Sequence, residues 1–165
     1  MSGLSLLQVR QFVIDPVEAA LPSRVKPCPN LLLGTMLVES GGIYIKQLGG
    51  GPAIGLMEME PATHNDCYFN FLRYTNNADL MSVVKSTLGV GPFAGVGAMA
   101  GNLYYAFIMA RIKYFRVEAA LPDDNDAAAL SAYHKQYYNT AGGATNIDQS
   151  VLLFQQAIDA VQAPS

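Results

Sequence analysis

The stretch LLLGTMLVESGGIYIKQLGGGPAIGLMEMEPAT, residues 31–63, decides how the chain is read. Its first ten residues, Leu31 to Ser40, are apolar on nearly every side of a helix, so that helix must be buried. Asn30 stands where an N-cap would, and Gly41-Gly42 supply the left-handed residues that end helices. A long glycine-rich loop follows through Gly55. Pro61 then fits the first turn of a further helix, running to about Arg73.

Helical periodicity also governs the flanks, and no convincing alternating strand is present. A first helix is expected over Ser5 to Ile14. Asp15-Pro16-Val17-Glu18 then reads as an N-cap, a proline at the first helical position and a reciprocal glutamate, opening a short second helix. Pro22, Pro27 and Pro29 stiffen the next loop. Asn77 should cap a helix ending at Leu88, and Gly97 to Val117 should form the longest, central helix. Helices near Asp126–Tyr138 and Asn146–Val161 complete the chain, joined by a loop from Thr140 to Thr145. Val-Glu-Ala-Ala-Leu-Pro occurs at 17–22 and 117–122 with unlike flanks, which suggests a helix ending used twice. The expectation is one mainly α domain over 1–165, with a glycine-rich loop and little or no sheet.

Of the 165 residues, 51% are hydrophobic and 14% charged, with a net charge of −3. That balance gives no electrostatic reason to expect nucleic acid or an anionic membrane as partner. Cys28 and Cys67 cannot build a disulfide framework, and no Cys/His cluster suggests a metal, so neither metal nor cofactor is expected. The N-terminus lacks a basic region before its apolar run and does not read as a secretory signal. Between Lys85 and Arg111 lie 25 uncharged residues, long enough for a membrane span. The glycines and proline of 88–97 instead favour a loop feeding a buried helix. His64 and His134, the two histidines, read as helix-face residues. Asp123 to Asp126 lacks the spaced ligands of a calcium loop and reads as a solvated turn and helix cap. Gly89-x-Gly91 and Gly95-x-Gly97 follow no strand, which argues against dinucleotide binding.

Glu39 is the residue with a chemical promise. Its own helix (Leu32, Thr35 and Met36 one turn back) should desolvate it, and the negative end of the helix dipole disfavours a carboxylate there. A carboxylic acid that keeps its proton can donate it to a leaving oxygen.

Three motifs surround that glutamate: Glu39-Ser40, then Gly55-Leu56-Met57-Glu58-Met59-Glu60-Pro61, then Tyr138-Asn139. Together they resemble the family of soluble lytic transglycosylases with the lysozyme-like fold, and more narrowly a group of short phage proteins carrying this domain. The resemblance covers roughly residues 30–160. It implies that Glu39 acts as acid and then base on the bond between N-acetylmuramic acid and N-acetylglucosamine. Closure of a 1,6-anhydro ring would follow, with the substrate's own acetamido group stabilising the developing cation. By the same resemblance Ser40, Gly55, Leu56, Met57, Glu58, Glu60, Tyr138 and Asn139 contact substrate, Tyr138 steadying the acetamido group or Glu39. Tyr44, Tyr133 and Tyr137 are candidates for sugar stacking.

Two positions depart from the family pattern. Glu58 replaces its glutamine, and Glu60 its methionine. A carboxyl at 58 facing Glu39 would force the pair to titrate together, could position a water as in goose-type lysozymes, or could disable the site. The family's loop serine is also absent, with Gln47 and Gly49-Gly50-Gly51 in its place. The implied partner is the glycan strand of peptidoglycan, with other virion or tail proteins a further possibility. The implied setting is a phage virion, or host cytoplasm before release to the cell wall. A structural virion protein that kept the fold and lost the reaction is the rival.

Overall fold

The computed structural model describes residues 3–88, 95–139 and 147–162. Within them the chain is mainly α-helical. Its extended pairing is confined to two isolated bridges in the glycine-rich loop, Lys46 with Ile54 and Ile54 with Met59. The loop expected from Thr140 to Thr145 lies outside the described residues.

Helix α1 runs through Leu6–Val9, a π-helical turn at Arg10–Ile14, and Asp15–Ala20. The break expected at Asp15 does not occur. A proline cannot accept the standard helical geometry without losing a hydrogen bond, and the wider π turn before Pro16 absorbs that loss. Asp15 is helical at φ −60° and pairs with Arg10 at 2.5 Å instead of capping. Glu18, expected to close a capping box, is buried. It accepts from the Cys28 N–H at 3.1 Å and from Arg111 Nε at 3.2 Å.

Helix α2, Pro29–Ser40, is the buried helix the sequence demanded, with Leu31, Leu32, Leu33 and Met36 fully enclosed. Its N-terminus is capped from far along the chain. Asp124 accepts from the Asn30 N–H at 3.0 Å and the Leu31 N–H at 3.3 Å, while Asn30's own side chain turns to Arg10 and Asp124. Asp124 is therefore not a solvated turn residue, whereas Asp126 does cap its own helix through the Ala129 N–H. Gly41, left-handed at φ 63°, ends α2 as expected.

Helix α3 starts with Pro61 at its first position and continues as Pro61–Cys67 and the π-helical Tyr68–Leu72. Helix α4 is Ala78–Leu88. The single long helix expected over Gly97 to Val117 is two, α5 (Ala98–Gly101) and α6 (Leu103–Phe115). Asn102 separates them in extended conformation, accepting from the Tyr105 N–H and donating to the Thr87 carbonyl. A cap satisfied on both sides outweighs one more turn of helix. The second Val-Glu-Ala-Ala-Leu-Pro copy lies beyond the end of α6, so only the first copy ends a helix. Helices α7 (Ala127–Tyr137) and α8 (Ile147–Gln162) follow, and α8 is the longest described helix. No described helix is long and apolar enough to cross a membrane.

α2 is the hub, packed most extensively on α8 and also against α7 and α6. Gly34 makes the closest approach possible, since a Cβ there would fall within the Phe154 ring of α8. Arg111 of α6 ties the other side together through Glu18 of α1 and the Lys26 carbonyl. The C-terminal end of α2 is thereby fixed within the core, with its last turn facing the glycine-rich loop.

Candidate active site

The loop after α2 folds back on itself and brings residues 55–58 over the end of the helix. Gly55 is left-handed at φ 79°, and a Cβ on it would strike the Met99 carbonyl, so only glycine lets the loop dock there. The Glu58 N–H donates to the Gly55 carbonyl at 3.0 Å, closing a tight turn. Glu58 itself is held at φ 40°, a strained backbone position for a residue with a side chain. Two side chains pin this turn. Ser40 Oγ donates to the Leu56 carbonyl at 2.7 Å, and Tyr138 Oη donates to the Met57 carbonyl at 2.8 Å.

These bonds give several of the expected site residues a structural part. Ser40, Gly55, Leu56, Met57 and Tyr138 are all buried, and the hydroxyls of Ser40 and Tyr138 are engaged with backbone. They hold the turn that carries Glu58. Leu56 and Met57 place their side chains in the core rather than towards a ligand. Tyr133 is also turned inward, tilted against Tyr114 and Tyr137 with its hydroxyl on the Ala119 carbonyl, so it does not offer a sugar-stacking face.

What remains around Glu39 is a cavity of about 310 Å³. Its lining includes Glu39, Gln47, Glu58, Glu60, Thr63, Lys113, Tyr138 and Asn139. A second hollow, about 400 Å³, shares Glu39, Gln47 and Glu58 with it and extends past Ser40, Tyr44 and Leu48. A third, about 480 Å³, shares Thr63 and Lys113 and extends past Asp66 and Arg116. Glu39 thus lies in a depression of adjoining hollows, two of which it lines.

The electrostatics of the depression are dominated by acids. Burial, the charge of Glu39 beside it and, opposing them, Lys46 push the Glu58 carboxyl up to about 7. Glu58 is therefore uncharged below that pH and gains its charge above it. Lys113 lies over the Tyr138 ring, 3.9 Å from its centroid, and donates to the Tyr138 carbonyl at 2.6 Å. Burial lowers the basicity of that ammonium, while the neighbouring Cys67, Glu39 and Glu60 oppose the loss. It supplies the positive charge facing the glutamates of the cavity.

Glu39 has one oxygen in the protein and the rest of its carboxyl towards the cavity. Its side chain is 14% exposed, but Oε1 is fully buried, 3.0 Å from Nε2 of His134. The line between them is bent away from the ring N–H axis, and neither atom has another partner. Tyr114 and Tyr138 pack near His134. Their phenols are raised well above the ordinary tyrosine range, by burial foremost and with Glu39's charge contributing, so both remain protonated.

His134 and Lys113 are the residues that sequence reading missed. His134 is 1% exposed and belongs to the interior face of α7, four residues before Tyr138. That spacing, which puts two residues on one helical face, was the available signal. Lys113 sits within the apolar run of α6, and no local motif marks it. His64 is likewise buried, bonded to Tyr105 at 2.7 Å and away from the Glu39 cavity. Among the described residues no cluster of three or more acid, histidine or cysteine side chains could hold a metal ion. Comparisons of the chain with protein-family models, with curated proteins and with solved structures return no match.

Proposed function

We propose that this protein cleaves the glycan strands of peptidoglycan as a lytic transglycosylase of lysozyme-like type, with Glu39 as acid and then base. The observation that carries the reading is that Glu39 lines two adjoining hollows, the first of which adjoins a third at Thr63 and Lys113, so that together they make a groove rather than one closed pocket. A linear polymer needs such a groove to lie across a catalytic group, whereas a small metabolite would be enclosed. Glu39 presents the groove with part of a carboxyl whose other oxygen is buried in the protein. Tyr44, on the groove's rim beside Glu39, has the amphipathic face on which a sugar can stack. The glutamate would protonate the glycosidic oxygen and then take the C6 hydroxyl proton as the anhydro ring closes. A role in a virion or at lysis, opening the cell wall of a host, follows from the motif resemblance.

Mass analysis of the muropeptides released from purified peptidoglycan tests this directly. Anhydro-muropeptides are the expected product. A wall left intact by the folded protein would remove the reading in favour of a structural virion component.

Glu58 favours a second, hydrolytic reading, because a carboxyl in place of an amide beside the acid can orient a water. Two expected results separate the outcomes. The activity profile of the native protein should carry an inflection near pH 7, where Glu58 gains its charge, and Glu58→Gln should lack it. If Glu58 orients water, native digests contain reducing ends and Glu58→Gln shifts the mixture towards anhydro ends. An unchanged profile and product ratio would show that Glu58 takes no part in the chemistry.

A further inference from the structure

His134 is a buried polar side chain for which the proposed reaction has so far required no role. Its Nδ1 lies 3.0 Å from the Tyr114 hydroxyl, which lies 2.7 Å from the Thr35 hydroxyl. Thr35 in turn donates to the Leu31 carbonyl at 2.7 Å. The far end of this chain fixes its direction. A carbonyl can only accept, so the single Thr35 proton is used there. Tyr114 then donates to Thr35, and Nδ1 of His134 is left to donate to Tyr114. In a neutral ring this tautomer leaves the lone pair on Nε2, the nitrogen that faces Glu39 Oε1 at 3.0 Å. With no proton between them, two lone pairs would confront each other inside the protein. A proton placed between them would relieve that contact.

We propose that His134 is the positioning residue of Glu39, holding Oε1 through a proton common to the two groups and leaving Oε2 for the substrate. The proton given to the glycosidic oxygen is then a second one, carried on Oε2 and replaced by the C6 hydroxyl proton as the ring closes. The proposal rests on the reading of Glu39 as the acid/base. The ring has no freedom to do otherwise. It is stacked on Tyr138 at 5.5 Å between centroids and tilted against Phe154 at 5.7 Å, and its Nδ1 side is anchored in α2 and α6. A carboxyl on the last turn of a helix otherwise has several rotamers, and fixing one of its oxygens selects the rotamer that serves the groove.

Nitrogen-15 NMR of the histidine rings in the native protein provides a test independent of turnover. At neutral pH, His134 is expected to show a protonated Nδ1 and an Nε2 resonance between the bare and protonated values. Glu39→Gln, which supplies no acid proton, should move Nε2 to the bare value and leave Nδ1 in place. A protonated Nε2 with a bare Nδ1, or an Nε2 resonance that ignores Glu39→Gln, would overturn the proposal. Kinetics give the second arm. His134→Phe, folded as judged by its thermal transition, should lower kcat roughly 10- to 100-fold while KM stays within about twofold, because the ring does not touch the groove. His134→Gln, whose amide can reach Glu39, should fall between. A His134→Phe variant with native kcat would also overturn it. If the native protein releases no glycan, the proposed activity fails while the NMR result still decides the pairing.

Discussion

Glu39→Gln is expected to reduce glycan release by about 10³-fold or more, within the range that loss of a general acid/base produces. The amide keeps the size of the carboxyl and can still bond to His134 Nε2, but it has no acidic proton to give the glycosidic oxygen. Two other glutamates line the same cavity. Glu60 is exposed at the start of α3, and Glu58 is held on the loop turn, so neither stands where Glu39 does at the end of α2. The thermal transition of the variant should lie within a few degrees of the native one, because Glu39 contributes one bent contact to a helix whose core is intact. Release of muropeptides at a substantial fraction of the native rate by a folded Glu39→Gln protein would end the assignment of Glu39.

Glu18→Ala should cause the largest loss of stability, about 3–5 kcal/mol, through the isolation of Arg111. The guanidinium is 1% exposed and its partner carboxyl 6%. Removing the carboxyl leaves a buried positive charge with a backbone carbonyl for company, and it also frees the Cys28 N–H just before α2 begins. For a domain of this size that corresponds to a fall in Tm of roughly 10 °C. Burial raises the pKa of Glu18, and Arg111 offsets the rise only in part. For that reason the double variant Glu18→Leu/Arg111→Met should recover much of the loss, as apolar replacements of buried pairs often do. Denaturant unfolding of the two proteins measures both effects. A loss below about 1 kcal/mol in Glu18→Ala would show that the pair is not coupled to the fold as its geometry indicates.

How far the sequence determined these features can be judged residue by residue. The buried helix from 29 to 40 followed from an apolar run with no polar face, since such a helix has nowhere to go but the core. Its end at Gly41 and the start of α3 at Pro61 followed from local backbone chemistry that no tertiary contact needed to supply. The long central helix did not survive, because Asn102 found partners on both sides of a break, one of them the Thr87 carbonyl in a different helix. Local periodicity carries no record of that carbonyl.

The candidate site divides along the same line. Glu39 was legible because its surroundings in sequence, a greasy helix before it and glycines after it, already describe its environment. Glu58 was legible as a departure from a motif, and its proximity to Glu39 as the reason the departure matters. The inward turn of Ser40 and Tyr138 was not, because a hydroxyl's partner is chosen by which carbonyl the fold brings within 3 Å, and Leu56 and Met57 arrive from a loop. Asp124, His134 and Lys113 were decided by tertiary structure alone. Each owes its role to groups many residues away: the first turn of α2 for Asp124, Glu39 and Tyr114 for His134, and the glutamates of the cavity for Lys113. By itself the sequence determined a buried helix, its glycine stop and the acid at its end. Which side chains close around that acid depended on long-range packing, because hydrogen bonds and desolvation act through space while sequence patterns report only neighbours along the chain.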